Sequence, residues 1–316
     1  MRVSEQHEAA ETQGIKANGF GFEMNAKMYS IMLDKMYKNK VGSLLRELCS
    51  NAWDAHIEAG NSTTPFDIEL PSWLSKNFSI RDYGLGIPHD IFEDVYTRVG
   101  GSTKEDREDM IGGWGLGSKT PFTLTDSFIV ENWNSGRKTT WACFKSSGFP
   151  QVSCVGDESS NEPSGLKVSF SFKNDVVDDF PRELRKQLMF FPVKPNVSGD
   201  KLEWFKDIDL SEGYAYGSHL PMHVVVMGNV RYPLELNDLG ISPYGGDPLA
   251  NLLQTHIILK VPLGSVDIPP SRESLEFTDK TIKYIKGRLE EILTVYKDTF
   301  IKKLCTFPSK LQAQLW

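Results

Sequence analysis

Cysteine is scarce in this chain: Cys49, Cys143, Cys154 and Cys305 are the four in 316 residues, and no two of them form a CxxC pair. That density excludes a disulfide-stapled scaffold and a CxxC zinc module, and it fits a reducing compartment. No apolar run approaches the roughly 18 residues that a membrane-spanning helix needs. The first residues, Met-Arg-Val-Ser-Glu-Gln-His-Glu, are polar and acidic, unlike a secretory leader. Together these absences predict a cytoplasmic protein. Lys and Arg number 35 against 42 Asp and Glu, a net charge of −7, and the basic residues are dispersed. No clear nucleic-acid footprint is visible in that distribution. Internal repeats and low-complexity tracts are also missing.

What remains is a chain of ordinary composition, long enough for two cores or one large one. Residues 1–20 are polar, with a strand near Phe20–Phe22. Helical periodicity covers 25–37 and 40–59, the second stretch closed by Gly60. Clean alternation marks strands at 66–70 and 78–82. A short helix over 90–99 leads into a polar, glycine-led loop at 100–109. Strands follow at 127–133, 139–145 and 166–172, the last two joined through an exposed loop at 156–165. A helix near 179–190 and the prolines 192 and 195 mark a domain boundary. Beyond it come strands at 223–232 and 255–263, the turn Asp267-Ile-Pro-Pro-Ser-Arg-Glu273, and a helix from 278 to 303. The pattern is α+β.

Three stretches carry chemistry. In the helix at 40–59, Glu47, Asn51 and Asp54 stand at i, i+4 and i+7, so their side chains leave one face. They flank the apolar stripe of Leu44, Leu48, Ala52 and Ala55 instead of opposing it, as residues lining a polar cavity over a core do. An ordinary charged helix face has the same look when taken alone. In the strand at 78–82, Asp82 is in phase with Phe78 and Ile80, so its carboxylate points inward and needs a partner or a ligand. An Asx-type turn acceptor is the plain alternative. The third stretch is Gly112-Gly-Trp-Gly-Leu-Gly-Ser-Lys119. Without a preceding strand it is no dinucleotide fingerprint, and its spacing is not that of a Walker loop. Glycines ahead of a helix can still bring backbone N–H groups to phosphate oxygens.

In this order, Glu47-x-x-x-Asn51-x-x-Asp54, Asp82-x-Gly84-x-Gly86 and Gly112-x-x-Gly115-x-Gly117 resemble the GHKL ATPase superfamily over about residues 20–175. The resemblance implies a Bergerat-type α/β sandwich that binds ATP and Mg²⁺ at 1–190, with a lid at about 98–119. It implies that Glu47 orients and deprotonates the attacking water and that Asn51 is the Mg²⁺ ligand. Asp82 accepts from the adenine amino group, beside Gly84 and Gly86. Asp54 supports the site, and Gly112, Gly115 and Gly117, with Ser118 and Lys119, wrap the phosphates. Ser102, Thr103 and Lys104 resemble a chaperone lid stretch, which adds Lys104 to the nucleotide contacts. One departure stands out: Leu166 occupies the place where the superfamily usually has a threonine, which puts the adenine contact in question.

Residues 191–316 resemble a smaller transducer or middle-type α/β domain. Its Asp267–Glu273 turn is similar to the chaperone segment whose arginine reaches the γ-phosphate, so Arg272 joins Glu47 as a catalytic candidate. A turn with an ordinary Arg–Glu pair at a helix start is the alternative. The run Arg46-Glu-Leu-Cys-Ser-Asn-Ala-Trp-Asp-Ala-His56 most resembles rIIA-type proteins of tailed phages. That likeness implies lysis inhibition or the overcoming of host exclusion, a host or phage protein partner, a homodimer and peripheral membrane association. Two functions stay open: an ATP-hydrolysing conformational machine, or a nucleotide-gated binding module with little hydrolysis.

Overall fold

The computed structural model describes residues 35–97, 117–172, 176–200, 202–242 and 246–306. The expected strand at 20–22 and nearly all of the helix at 25–37 lie outside them. The first long helix, α1 (Lys40–Glu58), begins where Asn39 caps it, its side chain accepting from Gly42 N. Such a cap satisfies one of the free N–H groups of the first turn. Most of α1 is buried, including Leu44, Leu45, Leu48, Cys49 and Ala52.

Seven strands form the first sheet, in the order β5-β4-β3-β6-β2-β1-β7. They are β1 (Asp67–Glu69), β2 (Asn77–Arg81), β3 (Ser127–Asn134), β4 (Arg137–Ser146), β5 (Phe149–Ser159), β6 (Gly165–Ser171) and β7 (Asn196–Ser198). All neighbours are antiparallel except β1 and β7. The α2 helix (His89–Thr97) brings Phe92 onto Trp141, and α3 (Asp179–Gln187) brings Phe180 onto Phe78 and Phe172. Leu44, Phe66, Ile80, Val130, Phe170 and Leu184 join one core, so helices and sheet form a sandwich. The decisive crossover inserts β6 between β2 and β3, which sets Leu166 beside Asp82.

A second sheet has the order β10-β9-β11-β8, from β8 (Tyr214–Gly217), β9 (Val224–Met227), β10 (Val230–Pro233) and β11 (His256–Val261). Beside it lie the short α4 (Pro248–Leu252) and the long α5 (Asp279–Leu304). Val225, Tyr232, Leu259, Ile285 and Leu289 share a core separate from the first. The structure is thus α+β with two sheets, and β7 joins the first sheet beyond residue 190.

Two local expectations are corrected. The exposed loop at 156–165 is half strand, because β5 continues to Ser159 along β4 with a bulge opposite Thr140/Trp141. Its residues alternate poorly in hydrophobicity because β5 ends the sheet among the described strands and much of it faces solvent. Cross-strand charge supports it instead: Arg137 pairs with Asp157, and Lys138 lies 3.8 Å from Glu158. The turn Ser147-Gly148, with both φ positive, feeds the strand as two-residue hairpins require. The single strand expected at 223–232 is a hairpin, broken at Gly228-Asn229.

Candidate functional site

Glu47 lies in the middle of α1, where the buried flank of the helix meets the turn carried by the second sheet. It is 6% exposed. Its Oε1 accepts from Arg46 Nε at 3.2 Å and its Oε2 from Arg272 Nη1 at 3.0 Å. Arg272 is itself buried, and its Nε and Nη2 have no hydrogen-bond partner. Burial is the largest single influence and works against the guanidinium charge, but Glu47 and Tyr232 together outweigh it and hold the Arg272 pKa above its ordinary value. The backbone of Arg272 has φ +56°, a left-handed conformation that costs a non-glycine residue about 1 kcal/mol or more.

The turn bearing Arg272 is anchored on both sides. Arg46 Nη2 donates to Ser271 O at 2.7 Å. Glu273 accepts from Lys38 N at 3.1 Å, Asn39 N at 2.9 Å and Ser43 Oγ at 2.7 Å, fastening a carboxylate to the positive end of α1. The strained Arg272 is therefore over-determined by its neighbours.

One turn along α1 from Glu47, Asn51 is exposed on a helix otherwise largely buried, while Asp54 is half-buried. Gly117 approaches this pair closely: a Cβ there would lie 3.1 Å from Glu47 Oε2 and 3.5 Å from Asn51 Nδ2. Glu47, Asn51, Gly117 and Arg272 thus converge. The 3-10 turn Gly117–Thr123 follows directly. Lys119 within it is 2% exposed, its Nζ donating to Val95 O at 3.1 Å and Ser118 Oγ at 3.0 Å. Burial brings its pKa down to about 8. Its ammonium group is spent on α2 and on its own neighbour. Gly112, Gly115, Lys104 and the remainder of the lid at 98–119 lie outside the described residues.

A turn further on, Gly84 packs against Ala55, and a Cβ there would come within 2.6 Å of the Ala55 Cβ. Glycine is what lets the Asp82 turn touch the helix. Gly86 adopts φ +71° against Trp133 O, where any side chain would collide. Asp82 points inward as the alternation predicts and is 7% exposed. Its Oδ1 accepts from Gly84 N at 2.9 Å and Leu166 N at 3.2 Å. Burial raises its pKa, and these two N–H groups oppose the rise. The Asx-turn bond to Gly84 is therefore present, together with a bond from a strand 84 residues away. Leu166 contributes its backbone N–H, whatever its side chain lacks.

Sequence reading missed the clamps around this turn. Buried His56 accepts from Tyr83 N at 2.7 Å through Nε2, and its Nδ1 lies 2.9 Å from Thr64 O. A backbone N–H can only donate and a carbonyl only accept, so His56 carries its proton on Nδ1. Asn61 Nδ2 donates to Tyr83 O at 2.9 Å. Asn132 holds both Ile87 N, at 2.9 Å, and Ile87 O, at 2.7 Å, while Asn134 donates to Leu85 O at 2.9 Å. The Arg81 guanidinium sits 4.0 Å from the Trp133 ring centre and donates to Asp82 O. Strand parity could have found Asn132: it is in phase with the buried Phe128 and Val130, the same anomaly that singles out Asp82.

No protein-family model matches the chain. A curated relative does: the chaperone protein HtpG of Wolbachia pipientis wMel is 26% identical over 201 residues. That match covers 55% of this chain and 31% of the relative. The chain thus spans about a third of the length of the protein it resembles. The similarity is distant and agrees with a GHKL-type likeness at the level of the superfamily. Among the described residues no helix is long and apolar enough to cross a membrane.

Proposed function

We propose that this protein binds ATP along α1 and hydrolyses it, with the base beside Asp82 and the γ-phosphate between Glu47, Gly117 and Arg272. The observation that carries the reading is the meeting of Glu47, Asn51 and Gly117 with an arginine from a turn 225 residues away. From Glu47 to Ala55 the helix rises about 12 Å, a span suited to a nucleotide laid lengthwise. Two buried Arg272 nitrogens without partners fit the oxygens of a phosphate. Asp82 presents a carboxylate whose Oδ1 is already held, leaving Oδ2 for the adenine amino group.

Among the described residues no group of three or more His, Cys, Asp or Glu could hold a metal by itself. The Asn51 amide oxygen would hold Mg²⁺ together with phosphate oxygens, where the ion would supply charge neutralisation. Glu47 accepts a proton from the attacking water once Arg272 turns to the γ-phosphate. The Lys119 contacts argue for a supporting role under the phosphate segment, with Gly117 and Ser118 nearer the ligand. In the same reading, residues 1–190 form the ATP-binding unit and 191–316 a transducer-like unit. The rIIA-type role in phage–host conflict, with a homodimer and a host or phage partner, rests on the Arg46–His56 and Asp267–Glu273 runs.

Calorimetric titration with ATP tests the site. Asp82→Asn turns half of the acceptor into a donor and should weaken binding at least 30-fold, about 2 kcal/mol for one mispaired buried group. Equal affinity in the variant would contradict the assignment.

A further inference from the structure

A cavity of about 850 Å³ lies at the N-terminal end of α1, between Arg231 of β10 and the Pro269–Ser274 turn. Its volume is within the range of small-molecule sites. Lys35, Lys38, Arg46 and Arg231 line it, and its one lining carboxylate, Glu273, is already satisfied by Lys38 N, Asn39 N and Ser43 Oγ. Arg46 is paired with Glu47, and Glu273 offsets one further cation, so Lys35, Lys38 and Arg231 leave a smaller excess of positive charge in the cleft. Arg231 makes the case sharper. Its Nη1 donates to Met222 Sδ at 2.8 Å, its Nε is buried without a partner, and among the described residues no carboxylate bonds to it directly, Glu183 acting on it only through space. Burial pulls its pKa below the ordinary arginine value. A guanidinium in that condition is short of an anion. Pro269 and Pro270 add an apolar wall.

We propose that this cleft is a binding site for a compact polyphosphate-bearing anion, separate from the site along α1 and held by Lys35, Lys38 and Arg231. Several phosphates suit several separated cations better than a single carboxylate does, and guanidinium pairs with phosphate bidentately.

The test is calorimetric titration with inorganic tripolyphosphate, which needs neither ATP nor turnover. Lys35 and Lys38 are exposed, so Lys35→Glu with Lys38→Glu leaves folding intact. This double variant should bind at least about tenfold more weakly than the wild type, and Arg231→Gln should behave likewise. Lys283→Glu with Lys297→Glu makes the same change of net charge on α5 and should bind like the wild type. Undetectable binding to the wild type would overturn the proposal. So would an equal loss in the α5 control, which marks long-range attraction only, or a loss in Asn51→Ala alone, which places the anion in the α1 site.

Discussion

The two ends of the site along α1 are held by different forces. At the Asp82 end, Tyr83, Leu85 and Ile87 are fixed through their backbones by His56, Asn61, Asn132 and Asn134. Those bonds are neutral and come from the first sheet, α1 and the loop after it. At the Glu47 end the holding is ionic, and one partner, Arg272, comes from the turn between the second sheet and α5. Neutral clamps of about 1 kcal/mol each make a rigid reader when several act together. An ion pair that reaches across to another part of the chain can instead be exchanged, because a phosphate competes for the same guanidinium. One end is built to recognise, the other to respond.

The largest expected effect comes from breaking the ionic end. Arg272→Met leaves a buried carboxylate with Arg46 alone and should cost about 3 to 5 kcal/mol in urea unfolding. Adding Glu47→Gln should recover part of that loss, because it removes the buried carboxylate but leaves buried Arg46 without its charge partner. A single variant as stable as the wild type would erase the contrast between the two ends.

Lys119, in the 3-10 turn that starts at Gly117, gives a pH signature. Its folded-state pKa of about 8 is below the ordinary 10.5, so the unfolded chain holds more protons between those values. Stability must then rise with pH across that window, by up to about 3 kcal/mol relative to Lys119→Met. Thermal unfolding of both proteins from pH 7.5 to 10.5 reads this difference. Parallel curves would mean that the ammonium group is solvated after all.

At the neutral end, Asn132→Ala removes the two bonds to Ile87 and should cost about 2 kcal/mol of stability, with ATP affinity down about tenfold. Affinity unchanged at that cost would show that the turn keeps its shape without the clamp. The smallest effect belongs to Glu273→Gln, which keeps the acceptor but not the charge. About 1 kcal/mol is expected, since charge-assisted bonds exceed neutral ones by about that amount.

Much of this was legible in the sequence. Helical spacing placed Glu47 and Asn51 one turn apart, and strand parity turned Asp82 inward, because both follow from fixed backbone periods. The approach of Arg272 to Glu47 came from a family resemblance, since no local rule joins residues 225 positions apart. The clamps His56 and Asn134 were invisible because a polar residue declares its partner only in three dimensions. The left-handed backbone of Arg272 had no signal at all, as arginine is an unusual choice there. The strand β5 was lost for a different reason: an exposed edge carries little hydrophobic alternation to read.

The central claim, that Glu47 is the base of an ATP-hydrolysing site, is tested most directly by ATP turnover and ATP binding in the wild type beside Glu47→Ala. The account predicts turnover in the wild type, a loss of about 100-fold or more in the variant, and ATP binding retained in both. A wild type that binds ATP yet turns it over no faster than Glu47→Ala would contradict it and favour a nucleotide-gated binding module.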